Sequence, residues 1–73
     1  MNDFVLPMSA KLVLSSLENG PKTQKQLLEE TSLSSRTLRF AISKLRSLNL
    51  IKETVSLKDG RIKIYKMVEE VRK

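Results

Sequence analysis

Apolar residues recur at Ala10, Val13, Leu14 and Leu17, a spacing that puts them on one side of a helix. Pro7 suits the first turn of that helix because its φ is already fixed. The helix is predicted to stop at "ENGPK", where Asn19 and Gly20 supply left-handed backbone and Pro21 blocks simple continuation. Thr23 with Gln26 three residues on forms a capping box, and Leu27 and Leu28 give the short second helix its buried side. That helix is expected to end around "EETSLS", with Ser34 capping a third helix by accepting from the free N–H groups near Arg36 and Thr37. In the third helix Leu38, Ala41, Ile42, Leu45 and Leu48 share a face, and Asn49 stands where a left-handed residue closes it.

The period then changes. "LIKETVSL" alternates, with Ile51, Val55 and Leu57 on one side, and "RIKIYKM" does the same with Ile62 and Ile64. "LKDGR" between them is a glycine-containing turn, so the two runs form a β-hairpin. The predicted architecture is α+β: three helices followed by a two-stranded hairpin in a single domain spanning 1–73, with its core at about 6–67.

With 73 residues the domain is small. A chain of about 60 residues buries only roughly 60% of its unfolded surface, so a compact core shared by every element is expected rather than a deep cavity. There is no Cys and no His, which removes thiolate and imidazole metal ligands, cysteine nucleophiles and histidine acid–base chemistry together. The remaining pairs, Glu29 with Glu30 and Tyr65 with Lys66, are sequence neighbours that point in different directions and read as surface and strand positions. No catalysis, cofactor or metal is therefore expected. No apolar run approaches the ~18 residues of a membrane span, and "MNDFVLPMSAKL" lacks the basic start of a secretory signal, so an intracellular, cytoplasmic protein is expected.

Charge adds the positive information. Lysine and arginine number 14 against 8 acidic residues, for a net charge of +6. From Arg36 to Lys63 eight basic residues face only Glu53 and Asp59, so this segment carries the whole net charge. A polyanion is the fitting partner.

The outer side of the third helix carries Ser35, Arg36, Arg39, Phe40, Ser43 and Lys44. Two helices joined by a tight turn, the second with a basic outer face, make a helix-turn-helix. An α-helix fits the major groove of B-DNA, and the planar arginine fork matches guanine O6 and N7. Arg36 and Arg39, three apart, are the candidate base readers. Ser34, Ser35 and Thr37 reach phosphate or cap the helix, aided by the partial positive charge of its N-terminus. Phe40 packs on a thymine methyl or against the protein, and Ser43 and Lys44 extend the contact. Lys58, Arg61 and Lys63 are the hairpin contacts to phosphate or the minor groove. Thr23, Gln24 and Lys25 are candidate backbone clamps.

In this order the elements resemble the winged helix-turn-helix proteins. "GPKTQKQLLEETSLSSRTLRFAISKLRSLNLI" is similar to the DNA-binding core of MarR-type and ArsR-type regulators, particularly compact archaeal versions, with "KDGR" at the wing tip. The likeness covers about Leu6 to Met67. Asn49 stands where that family usually has Gly, the long terminal helices that dimerise many MarR-type proteins are absent, and a metal-sensing cluster of the ArsR kind needs the Cys and His this sequence lacks. The resemblance implies a small transcriptional regulator that binds double-stranded DNA, with no small-molecule effector readable. The competing reading is a protein-interaction winged helix in a transcription or nucleoprotein assembly. Phe4, Val5 and Leu6 at one end and Tyr65, Met67, Val68 and Val71 at the other are the apolar material for a homodimer, or else close the monomer's own core.

Overall fold

The computed structural model describes residues 6–68. The order is α1 (Met8–Leu17), β1 (Lys22–Thr23), α2 (Gln24–Thr31), α3 (Ser35–Ser47), β2 (Ile51–Val55) and β3 (Lys63–Met67). The three expected helices and the hairpin are present. A short strand missed in the sequence, β1, adds to the hairpin's outer edge, so the sheet has three antiparallel strands in the order β1-β3-β2. Two residues carry no readable period, and Lys22 and Thr23 become a strand only by pairing with Tyr65 and Ile64.

Local chemistry explains where each helix starts and stops. Pro7, at φ −60°, precedes α1, and its carbonyl accepts from the Lys11 N–H at 3.1 Å. After α1 the positive φ belongs to Gly20 (129°) and not to Asn19. Thr23 and Gln26 complete the capping box in both directions: the Gln26 N–H donates to Thr23 Oγ1 at 3.2 Å, and the Thr23 N–H donates to Gln26 Oε1 at 2.9 Å. Ser32 ends α2 in the left-handed region at φ 60°, an unexpected position for serine. Its neighbour Thr31 ties the turn by donating to Leu27 O at 2.7 Å and accepting from the Leu33 N–H at 3.3 Å. The turn is thus held at three residues, 32–34, before α3 begins.

At the far end of α3, Asn49 has φ 61°. The Leu50 N–H reaches Leu45 O at 3.0 Å and the Asn49 N–H reaches Arg46 O at 2.9 Å, the paired bonds of a Schellman cap. Asparagine tolerates the left-handed region, so it does here what glycine usually does. The cap turns the chain straight into β2.

The core draws on all three helices and the hairpin. Ala10, Val13 and Leu17 of α1, Leu27 of α2, Leu38, Ala41, Ile42 and Leu45 of α3, Ile51 of β2 and Tyr65 of β3 are buried together. Leu6, Leu14, Leu28, Leu33, Leu50 and Met67 pack partly buried around them. Leu48, expected in the core, is only half-buried beside the cap.

The hairpin corrects the alternation read from sequence. Ile51, Glu53 and Val55 lie opposite Met67, Tyr65 and Lys63, so these six share one sheet face. The buried residue of β3 is therefore Tyr65, at 5% exposure, and not Ile62 or Ile64. Ile62 and Val55 are exposed, and Leu57 at the tip is fully so. Period-two counting marks a face only where a helix covers it, and the helices reach no farther than the base of the wing. Leu6, Tyr65 and Met67, expected as dimer material, serve this chain's own core. Phe4, Val5 and Val71 lie outside the described residues.

Candidate nucleic-acid interface

The helix-turn-helix presents α3 with its apolar face inward and its polar face to solvent. Ser34 caps it by accepting from the Thr37 N–H at 3.1 Å, and its own hydroxyl donates to Thr37 Oγ1 at 3.0 Å. Both hydroxyls are thereby engaged within the protein, and half-buried Thr37 takes part in the cap. Ser35 stays exposed at the start of the helix.

Arg36, Arg39, Ser43 and Lys44 are all exposed, and Phe40 is 55% exposed, so its ring is largely open to solvent. Among the described residues no carboxylate lies within 4.0 Å of Arg36, Arg39 or Lys44, whereas Arg46 and Lys63 are both tied to Glu53. Arg36, Arg39 and Lys44 are thus available to an external anion. That distinction is invisible in sequence, where all eight basic residues look alike.

The wing lies beside this face. Its tip is closed by its own bonds: the Ser56 N–H donates to Ile62 O at 2.9 Å, the Ile62 N–H donates to Asp59 O at 3.0 Å, and Ser56 Oγ accepts from the Lys58 N–H at 3.2 Å. Asp59 Oδ1 accepts from the Arg61 N–H at 3.0 Å and lies 3.4 Å from Arg61 Nε, yet the Arg61 side chain remains almost wholly in solvent. Lys58 is exposed with no carboxylate within 4.0 Å among the described residues.

Two grooves connect these parts. One, between α3 and the wing, is lined by Arg39, Ile42, Ser43, Arg46, Ser47, Glu53, Lys63 and Tyr65. Burial, with the Glu53 carboxylate next, raises the Tyr65 phenol above its ordinary value, so it is a neutral wall at physiological pH. The other brings Thr23, Gln24 and Lys25 at the start of α2 against Arg61, Ile62 and Lys63 of the wing. The clamp residues and the wing cations are therefore one neighbourhood, joined through β1. Sequence reasoning missed Glu53 and Arg46 as members of the site. Their signal was present only as one of two acids among eight bases.

Among the described residues no group of three or more acidic, His or Cys side chains could hold a metal ion. Glu30 is occupied by Lys22 at 3.7 Å and by the Ser16 hydroxyl. No helix among the described residues is long and apolar enough to cross a membrane.

No family model and no curated protein matches the sequence. Solved structures do match. ZitR of Lactococcus lactis, a zinc-responsive MarR family member, superposes with a TM-score of 0.84 at 22% identity, over 93% of this chain and 47% of that one. BpsR of Bordetella bronchiseptica, whose DNA binding is regulated by 6-hydroxynicotinic acid, gives 0.80 at 20% identity, over 93% and 52%. The transcriptional regulator BldR of Sulfolobus solfataricus gives 0.80 at 21% identity, over 86% and 45%. This chain spans about half the length of the solved chains it matches. Identities this low establish architecture, and with the helix-turn-helix and hairpin described above they show that the chain has the winged helix-turn-helix fold of these regulators.

Proposed function

We propose that this chain binds double-stranded DNA sequence-selectively as the reading unit of a transcriptional regulator. The first half of α3 enters the major groove, with Arg36 and Arg39 reading base edges and Ser35, Phe40, Ser43 and Lys44 flanking them. Lys58 and Arg61 of the wing meet the adjacent backbone or minor groove, and Thr23, Gln24 and Lys25 clamp phosphate at the start of α2. Ser34 and Thr37 support the helix N-terminus against phosphate through the cap. Lys63, expected among the wing contacts, is held on Glu53 and is left out of the gripping set.

The observation that carries this reading is the exposure of Arg36 and Arg39 on the face of α3 opposite the core, with no carboxylate within 4.0 Å among the described residues. Unpaired arginines held on a rigid helix are pre-organised for bidentate contact, worth about 1–3 kcal/mol of discrimination per good pair. The solved structures add support, since one concerns DNA binding and another is a transcriptional regulator.

One observation favours a second reading, docking of a protein on the same surface: Val55, Leu57 and Ile62 leave the wing apolar at its end. Selection from random duplexes separates the two. DNA reading requires enrichment of a defined site, and a protein-docking domain enriches none. A homodimer belongs to the DNA reading too, because two copies with recognition helices about 34 Å apart read a palindrome whose half-sites are one helical turn apart. Inverted symmetry in the enriched sites supports it, and asymmetric sites speak against it.

Substitutions then test the division of labour. Arg39→Ala is expected to cost about 1–3 kcal/mol on the selected site and much less on random DNA, whereas Lys58→Ala weakens both alike. Equal losses on both duplexes for Arg39→Ala would demote that residue to a phosphate contact.

A further inference from the structure

We propose that Glu53 is a specificity-determining residue, an internal carboxylate that holds Arg46 and Lys63 away from phosphate and so suppresses binding to random DNA. The inference rests on the DNA-binding reading above and names a residue that acts against affinity rather than for it.

Glu53 lies in the middle of β2 on the sheet face turned towards α3. Its Oε1 is 2.8 Å from Arg46 in the last turn of α3, and its Oε2 is 3.7 Å from Lys63 Nζ at the start of β3. The carboxylate is 21% exposed, while the two cations are 53% and 57% exposed. It therefore sits at the floor of the groove with a cation on each side, joining α3 to both strands of the wing. Among the described residues it is the one acidic side chain lining that groove, against Arg39, Arg46 and Lys63.

Binding to random DNA is almost wholly electrostatic, so each cation withdrawn from phosphate removes one counterion-release step and about 0.9 from the salt slope. In the specific complex the base contacts of Arg36 and Arg39 set the register, and neither has a carboxylate within 4.0 Å among the described residues. That register fixes where α3 and the wing lie, so a freed Arg46 or Lys63 gains phosphate only where it permits, whereas an unregistered complex can shift to bring either onto phosphate. Holding both on Glu53 therefore weakens unregistered complexes more. Specificity is a difference of affinities, and an element that penalises the wrong complexes raises it.

The test is Glu53→Gln, nearly isosteric, assayed by fluorescence anisotropy over a salt series on a selected and a random duplex. Random-duplex affinity should rise by about tenfold or more at low salt, with a slope steeper by about 1–2, while selected-site affinity rises by less than about threefold. An unchanged random-duplex slope, equal tightening on both duplexes, or weaker binding to both would overturn the proposal. Lys63→Met in the otherwise unaltered chain gives an independent reading that does not depend on the Glu53 variant folding. It should leave the random-duplex slope where it was, and a loss of about 0.9 overturns the proposal. A wild-type chain that binds no duplex removes the DNA reading and this inference together. Wild-type binding with a Glu53→Gln slope like its own removes this inference alone.

Discussion

Raising monovalent salt from about 50 to about 200 mM is expected to weaken random-duplex binding roughly a thousandfold. On a random duplex, where Arg36 and Arg39 find no preferred bases and meet phosphate, six cations remain once Glu53 has taken two: Lys25, Arg36, Arg39, Lys44, Lys58 and Arg61, all exposed. At about −0.9 per phosphate neutralised, they give a slope of log K against log salt near −5. Arg61 is counted because its side chain is 91% exposed and Asp59 39%, against 53% and 57% for Arg46 and Lys63 on a Glu53 only 21% exposed, so the Arg61 pair contributes least and yields most readily to phosphate. Anisotropy titrations at four or five salt concentrations measure the slope directly. A flat response with tight binding retained would mean that some other force holds the duplex.

The second large effect concerns the platform that carries those side chains. Leu45→Ala should destabilise the fold by about 2–5 kcal/mol, because a fully buried leucine loses both its transfer free energy and the packing around the cavity left behind. Stability of roughly 0.05–0.15 kcal/mol per residue leaves a domain this small little reserve, so much of the population unfolds near physiological temperature. Leu57→Ala is the control: the same chemistry at a fully exposed position should change stability by no more than about 0.5 kcal/mol. Urea denaturation followed by circular dichroism compares the two. Similar losses would contradict the burial pattern of the wing.

The helices were legible in sequence because their signals are local. The 3.6-residue stripe of α3 from Leu38 to Leu45, the Thr23–Gln26 box and the left-handed Asn49 each lie within a few residues, and each is present as read, Leu48 alone falling outside the stripe. The sheet was less legible because its signals are not local. Whether Tyr65 or Ile64 faces the core depends on which side of the hairpin α3 covers, and strand β1 exists only through Lys22 and Thr23 pairing with β3. The list of basic residues could be read from the chain, whereas their availability could not. Arg46 and Glu53 lie seven residues apart across the α3–β2 turn, and Lys63 reaches the same carboxylate from β3.

The central claim, that the polar face of α3 and the wing form the DNA-binding surface, is tested most directly by amide chemical-shift mapping of the full chain titrated with a selected duplex. The expected perturbations concentrate at Ser35–Lys44, at Lys58 and Arg61, and at Thr23–Lys25, while the amides of α1 along Met8, Leu12 and Ser15 stay in place. Shifts confined to α1 or to the outer sheet face around Lys52 and Lys66, with the first half of α3 unmoved, would contradict it.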